Sequence, residues 1–375
     1  MKKCVTALIK PASSLCDMEC TYCFYKDTAK KREQYSYGIM TYEVVDQLIQ
    51  KTLLFANGGP VTYCFQGGEP LLAGVSFYQY FTKKVKEINS FGSSITYSLQ
   101  TNGRNLSDEF CQLFQKHSFL LGVSLDGISK VHNKYRCSSK KVEETDVKDG
   151  TFEEVMKGIA LLKQYQIEFN ILSVVTAYSA KYIKETWEFF KEQGFSYLQF
   201  INCLEPIGNR RFQTEFVMDN EQYYEFYKQL FDLYYEELKN NRMVSVRYFD
   251  NLMARLWGRP VEQCDMLGRC FGQLVVEADG SIYPCDFYCN DRYYLGNILK
   301  MSLEELQKSP VMHQFVKESL KIEEDCKRCN VWGLCLGGCR RERDYFSDGI
   351  LQKNKYCEGR KKFFHYVLQK FKNGV

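Results

Sequence analysis

The sequence predicts an α/β protein. Residues 1–250 read as a partial β/α barrel of six strand–helix repeats, and residues 251–375 as a small cysteine-rich region ending in a helix. Three observations carry this. From residue 4 to about 240, short apolar runs alternate with amphipathic stretches of ten to twenty residues. The apolar runs are continuous rather than strictly alternating, as in parallel strands covered on both faces. Beyond about Val244 cysteines crowd in and the helical stretches shorten.

In order, the first strand is Cys4–Lys10, followed by a cysteine-bearing loop and a helix opening at Thr41 (Thr41–Asn57). Next come a strand (Val61–Gln66), a helix (Val75–Ser90), a strand (Ser94–Gln100), a helix (Ser107–His117) and a strand (Phe119–Leu125). Lys134–Gly150 is charged, serine-bearing and without periodicity, so it reads as a surface loop. A helix (Phe152–Tyr165), a strand (Ile167–Val175), a helix (Ala180–Gly194), a strand (Tyr197–Asn202) and a long helix (Asn220–Asn240) close the series. In such a barrel, function is expected at the C-terminal strand ends. Past the boundary, Gln273–Ala278 and Ser281–Pro284 flank Asp279-Gly280 and read as a hairpin.

Composition bounds the function. The 375 residues are 45% hydrophobic and 26% charged, and 50 Lys and Arg face 46 Asp and Glu for a net charge of +4. That balance is too even to make nucleic acid or an anionic membrane the default partner. Val5–Ile9 is too short for a signal-peptide core, and no run reaches the ~18 apolar residues of a membrane span. The expectation is a soluble, cytoplasmic protein. Its 17 cysteines are unusual, and in a reducing compartment clustered thiols ligate metal more often than they pair. His117, His132, His313 and His365 stand apart from them, which favours all-thiolate sites.

Cys16, Cys20 and Cys23 lie within eight residues, directly after the first strand. A [4Fe–4S] cluster takes four ligands, so three cysteines leave one iron open. An incomplete protein shell is what admits an exogenous molecule. A zinc site or a chance cluster is the alternative reading. The Cys-x3-Cys-x2-Cys spacing on the first βα loop resembles the signature of radical S-adenosylmethionine (SAM) enzymes. That resemblance implies that SAM's amino and carboxylate groups occupy the open iron. Gln66-Gly67-Gly68-Glu69-Pro70 is similar to the family's GGEP element, which implies that Gly68 lies against the SAM amino group. It also implies that Ser124 meets the ribose, Arg136 the carboxylate, Tyr22 the adenine, and Leu204 a further part of SAM. A solvated Arg and a core Leu are the plainer readings of Arg136 and Leu204.

Eight more cysteines follow residue 260: Cys264, Cys270, Cys285, Cys326, Cys329, Cys335, Cys339 and Cys357. Eight thiols make two complete four-thiolate sites. Two zinc ribbons would use paired Cys-x2-Cys knuckles, and one such pair occurs here. The spacing resembles the SPASM region, which implies two auxiliary [4Fe–4S] clusters, one on Cys264, Cys270, Cys285 and Cys339 and one on Cys326, Cys329, Cys335 and Cys357. Fully ligated clusters have no place for substrate, so electron transfer is their expected role. Of the remaining six, Cys4, Cys64, Cys111 and Cys203 read as small buried hydrophobes. Cys137 and Cys289 fall in looser, potentially reactive segments.

Asp286 follows Cys285 among apolar neighbours and is a candidate general base or a turn-capping residue. Ile9–Ser14, Cys23–Tyr25, Tyr37–Met40, Phe65–Pro70, Leu99–Gly103, Leu198–Leu204 with Pro206, Val246–Asp250 and Tyr283–Phe287 closely resemble the anaerobic sulfatase-maturating enzymes. This resemblance covers nearly the whole chain; Lys134–Gly150 looks longer than the family's. It implies oxidation of a Cys or Ser in a sulfatase to Cα-formylglycine, with Asp286 as proton acceptor. The implied partners are a sulfatase polypeptide bearing a Cys/Ser-x-Pro-x-Arg-like motif and an external one-electron reductant of flavodoxin or ferredoxin type. A SPASM enzyme forming peptide crosslinks and a non-catalytic iron–sulfur electron carrier are the competing readings.

Overall fold

The computed structural model describes residues 1–141, 148–208, 214–344 and 351–374. Its strands are β1 (Val5–Ile9), β2 (Val61–Phe65), β3 (Ile95–Thr101), β4 (Leu120–Ser124), β5 (Cys137–Lys141), β6 (Lys148–Gly150), β7 (Phe169–Val175), β8 (Tyr197–Asn202), β9 (Ser245–Val246), β10 (Leu274–Val276), β11 (Ser281–Tyr283) and β12 (Gly296–Asn297). The chain forms two compact units: Met1–Ser124 with Asn133–Phe169 and Gly272–Phe315, and Leu125–His132 with Asn170–Phe271 and Val316–Val375. All six expected barrel strands and the helices after them are present, within about three residues of their expected ends.

In the first unit β1 is a central strand. It pairs in parallel with β2, from Val5 opposite Val61 to Ile9 opposite Phe65, and β3 and β4 continue the parallel order. Its other edge pairs in parallel with β10, Ala7 opposite Leu274, and β11 and β12 follow antiparallel. The expected hairpin is therefore real, turning at Gly280 with φ +85°, and it extends the sheet that begins at β1. Helix Tyr42–Ala56 starts where the Thr41 side chain accepts from the Val44 amide, and it stops at Asn57, whose φ of 47° is left-handed. Its buried face is Val44, Val45, Leu48, Ile49 and Leu53, spaced by three and four. Tyr63, Phe65, Phe81 and Phe119 pack the core by edge and stacked contacts, so truncating Phe65 to Ala should cost about 3–5 kcal/mol.

In the second unit β7, β8 and β9 are parallel. Helix Asn220–Lys239 opens with a capping box, Asp219 and Gln222 each accepting from the other's amide. Tyr227 and Phe231 on that helix pack against Phe363 of the C-terminal helix Cys357–Gly374. Among the described residues no helix is long and apolar enough to cross a membrane.

Three expectations need correction. Lys134–Gly150 is not simply a loop. The helix Ser129–Tyr135 reaches into it and β5 pairs antiparallel with β6, while residues 142–147 lie outside the described residues. Its charged, serine-rich side chains give no apolar alternation, which is why the pairing left no sequence signal. Cys4 is exposed because β1 begins after it, and Cys289 is fully buried rather than loose; Cys111 and Cys203 are buried as expected.

Candidate active site

The cysteine loop begins where β1 ends. Its backbone is held from two sides within the first unit. On one side Gly68 N donates to Ser13 O at 2.8 Å and Glu69 N to Leu15 O at 2.7 Å. A Cβ on Gly68 would sit 1.9 Å from Leu15 O, so only glycine permits this approach. The glycine pair thus serves a contact with the loop backbone, a role its sequence did not reveal. On the other side Glu19 N donates to Cys137 O, Thr21 N to Tyr135 O and Ser139 N to Asp17 O, all at 2.9–3.0 Å. The segment expected to be a loop is therefore the strand that clamps the cysteines.

Asp17 is the side-chain anchor. Its carboxylate accepts from Asn102 Nδ2 at 2.7 Å, Arg104 Nη1 at 3.0 Å and Asn105 Nδ2 at 3.1 Å, all just beyond β3. Buried Glu69 supports the same strand end, accepting from Asn102 N, Thr101 Oγ1 and Leu71 N at 2.8–3.0 Å. Burial nonetheless pushes the Glu69 carboxyl up to about 7.

None of Cys16, Cys20 and Cys23 is in a disulfide; the Cys16 side chain reaches solvent, and Cys20 and Cys23 are half-buried. Cys16 Sγ accepts from Met18 N, and Cys23 Sγ from Lys26 N as the N-cap of helix Phe24–Ala29. Although the Cys16 side chain reaches solvent, the protein packed around its sulfur withholds water, and this desolvation, opposed by the Met18 amide and joined by Glu69, Cys20 and Asp17, pushes the thiol up to about 12. Metal must therefore displace a proton there. The donor set fits an iron–sulfur cluster with one open iron: three sulfurs on one loop whose backbone is braced at both flanks. Close by, Arg136 Nη1 donates to Tyr22 Oη at 3.1 Å, so the expected SAM-carboxylate and adenine residues are joined. Both are buried, and Ser124, half-buried, ends β4 in the same unit. Leu204 is half-buried in the second unit, two residues past β8.

Of the C-terminal cysteines, Cys285 lies in the first unit and the other seven in the second. Burial and then Cys335 and Cys329, partly opposed by Lys353, raise the pKa of Cys326, and burial, Glu358, Cys326 and Cys335 raise that of Cys357, so Cys326 lies within electrostatic reach of the other three thiols. Cys326 lines a small cavity of about 10 Å³ together with Trp332, Gly337, Arg343 and Lys353. Among the described residues no three His, Cys, Asp or Glu side chains converge on a point that would hold a single ion. A cluster of several irons would not need its cysteines to meet at one point, and these residues would hold it through separate sulfurs. Behind Cys357 lies a buried ionic set: Glu342 accepts from Asn202 Nδ2 at 2.9 Å and Asn354 Nδ2 at 2.8 Å, with Arg360 Nη1 at 3.8 Å.

Asp286 is not isolated. Its Oδ1 accepts from Lys10 Nζ at 2.5 Å, and Lys10, the residue after β1, is fully buried. The same ammonium lies 3.7 Å from the centre of the Tyr25 ring. Tyr25 Oη donates to Glu277, which also accepts from Arg32 Nη1 at 2.6 Å. Buried Lys10, Arg32 and Glu277 and half-buried Asp286 form a charge-balanced group that no local sequence pattern announces. Lys10 looks like the ordinary charged end of a strand; its place between buried Ile9 and buried Pro11 was the available hint.

A model of the radical SAM superfamily matches residues 11–190, and one for SPASM, an iron–sulfur cluster-binding domain, matches residues 264–330. The cysteine-type anaerobic sulfatase-maturating enzyme of Clostridium perfringens (strain 13 / Type A) is 40% identical, covering 98% of this chain and 98% of its own length. The serine-type enzyme of Bacteroides thetaiotaomicron is 29% identical over 96% of this chain and 88% of its own. The solved structure of native anSMEcpe with bound AdoMet and Cp18Cys peptide is similar with a TM-score of 0.92 at 40% identity, covering 99% of this chain and 98% of that one. SuiB of Streptococcus suis bound to the precursor peptide SuiA, at TM-score 0.65 and 14% identity over 96% of this chain and 76% of that one, shares the fold alone.

Fold, cysteine loop and these matches define a radical SAM protein with a C-terminal iron–sulfur SPASM region. Within that class the chain belongs to the anaerobic sulfatase-maturating enzymes. The expected activity, radical SAM oxidation of a Cys or Ser side chain in a sulfatase to Cα-formylglycine, is that of this family.

Proposed function

We propose that this chain oxidises a cysteine of a sulfatase polypeptide, in a Cys-x-Pro-x-Arg-like motif, to Cα-formylglycine. The observation that carries the reading is the braced three-thiol loop in a chain that matches cysteine-type enzymes along its whole length. Preference for Cys over Ser is supported by the sulfatase-maturating relatives: those at 39–40% identity are cysteine-type and those named serine-type stand at 26–29%.

Cys16, Cys20 and Cys23 hold the cluster with the open iron. Tyr22, Gly68, Ser124, Arg136 and Leu204 bind SAM, with the Arg136 guanidinium on its carboxylate. When bound, this cluster and SAM would supply the hydrogen abstraction from the target's Cβ; the auxiliary clusters would accept the second electron, and water would hydrolyse the resulting thioaldehyde to the aldehyde with release of sulfide. Asp286 Oδ2 takes the thiol proton of the target; its Oδ1 is held by Lys10, and Oδ2 accepts no hydrogen bond from a described residue. Cys264, Cys270, Cys285 and Cys339 hold one auxiliary cluster, and Cys326, Cys329, Cys335 and Cys357 the other, each with a full set of thiolates. A boundary near residue 250 separates the SAM-binding and SPASM regions, consistent with matches to 11–190 and 264–330. The external reductant is of flavodoxin or ferredoxin type, and the enzyme works in the cytoplasm.

The test is anaerobic incubation of cluster-reconstituted protein with SAM, reductant and a Cys-x-Pro-x-Arg peptide, read by mass spectrometry. Formylglycine at the cysteine is expected. A crosslinked peptide that keeps its sulfur, or an unmodified peptide under conditions where SAM is cleaved, would overturn the reading.

A further inference from the structure

The base proposed above is one half of a buried ion pair, and its partner has a second set of neighbours. Lys10 is fixed at the end of β1, its amide donating to Val276 O at 2.8 Å on β10. Its side chain is completely buried and reaches Asp286 Oδ1 at 2.5 Å across 276 residues of sequence. The Tyr25 ring lies 3.7 Å from the ammonium and limits its movement by a cation–π contact. Tyr25 is itself held by Glu277, and Glu277 by Arg32. The chain of contacts Arg32–Glu277–Tyr25–Lys10–Asp286 thus runs from the helix Phe24–Ala29 region to the base without a break.

An ammonium has three protons to give and no lone pair to accept with, so toward a carboxylate it acts only as a donor. Burial disfavours its charge, but Asp286, Cys289 and Glu277 around it more than offset that and hold its pKa above the ordinary lysine value. It therefore stays charged and cannot serve as the base itself. What it can do is fix Oδ1 and so orient the whole carboxylate. The Asp286 side chain is 15% exposed, and Oδ2 has no hydrogen-bond donor among the described residues. One oxygen is anchored and the other is presented.

We propose that Lys10 is a positioning residue for the oxidation: it holds Asp286 by Oδ1 so that Oδ2 faces the proton to be removed from the substrate. This rests on Asp286 being the base. Its distinguishing consequence is that Lys10 acts only through Asp286. Losing Lys10 should leave SAM cleavage intact and uncouple it from product, because hydrogen abstraction precedes deprotonation.

The experiment measures formylglycine formed per 5′-deoxyadenosine released, on anaerobically reconstituted holoenzyme with a Cys-x-Pro-x-Arg peptide, alongside iron content. The variants are Lys10→Met, Lys10→Gln, Lys10→Arg, Asp286→Asn and the Lys10→Met/Asp286→Asn pair. Lys10→Met should lower the ratio about 10²-fold, the usual effect of a group misplaced by about an ångström. Lys10→Gln, too short to reach Oδ1, should fall similarly, and Lys10→Arg, which keeps charge and donors, should recover part of the loss. The pair should be no worse than Asp286→Asn alone, since residues acting as one unit are not additive. Should Lys10→Met fail to hold iron, Lys10→Gln takes its place in the comparison. A wild-type ratio in both neutral variants, with Asp286→Asn impaired, overturns the role of Lys10 and leaves the base standing. A paired variant that multiplies the two losses also overturns it, by showing that Lys10 acts elsewhere. Full product from Asp286→Asn overturns the base assignment and this inference together.

Discussion

The two units of the molecule treat polar capacity in opposite ways. In the second, Cys326, Cys329, Cys335 and Cys357 supply four thiols, and both oxygens of buried Glu342 are occupied by Asn202 and Asn354. In the first, the loop of Cys16, Cys20 and Cys23 supplies three thiols, and the carboxylate of Asp286 has one oxygen engaged and the other without a hydrogen bond from any described residue. Both units bury charge, and buried charge is costly unless it is paired. The difference lies in whether the pairing is completed. Where it is complete, the group can only hold the fold; where one place is left, a ligand or a proton can fill it. The incomplete places are surrounded by complete ones. Asp17 takes three donors and Glu69 three, fixing the backbone around the open positions.

This contrast can be broken by experiment, beginning with the largest effect. Replacing Cys16, Cys20 and Cys23 by Ala should abolish SAM cleavage and remove about a third of the iron, if three [4Fe–4S] clusters are present. Chromatographic assay of 5′-deoxyadenosine and iron analysis check this; SAM cleavage surviving in that variant would refute the open-iron assignment. Next, Glu342→Gln disturbs a completed site. It should destabilise the protein by about 3–5 kcal/mol, the range for breaking a buried ionic set by removing one partner. Anaerobic denaturant unfolding measures it, and an unchanged midpoint would mean that Glu342 is not a scaffold group.

A smaller effect concerns Glu69. Its folded pKa of about 7 is raised by burial above the ordinary carboxyl value, so the folded chain holds the proton more tightly than the unfolded one. The stability this provides is full below about pH 4.5 and is lost as pH rises through about 7. At one unit per ~1.4 kcal/mol the loss is at most about 3 kcal/mol. Glu69→Gln should flatten the decline over that window in unfolding curves collected across pH; a slope equal to the wild type's would assign the pH dependence to other groups.

Much of this was legible in the sequence, for identifiable reasons. The six strands and their helices carry apolar spacing that is local to each element, as the face Val44, Val45, Leu48, Ile49 and Leu53 illustrates. The three-cysteine loop is contiguous and needs no tertiary information. Pairings distant in sequence were not legible. The parallel match of β1 with β10 joins Ala7 to Leu274, and no local pattern records it. The same pairing brings Lys10 alongside β10 and so towards Glu277 and Asp286, which is why Asp286 could be singled out while its partner could not. The strand after Tyr135 left little sequence signal because Cys137 and Ser139 bind the cysteine loop mainly through backbone, with the Ser139 hydroxyl also donating to Asp17 O. Gly68 was noticed as a residue that permits close approach, but what approaches is Leu15 O rather than a ligand alone.

The central claim is that the open oxygen of Asp286 belongs to the chemistry and the occupied oxygens of Glu342 to the scaffold. The most direct measurement is formylglycine formed per 5′-deoxyadenosine released in Asp286→Asn and Glu342→Gln holoenzymes, each at a temperature where it is folded. Asp286→Asn should keep its iron and its SAM cleavage while the ratio drops by roughly 10²–10⁴, the usual contribution of a positioned general base. Glu342→Gln should keep the wild-type ratio despite its lower stability. A normal ratio in Asp286→Asn, or an equal fall in both variants, would contradict it.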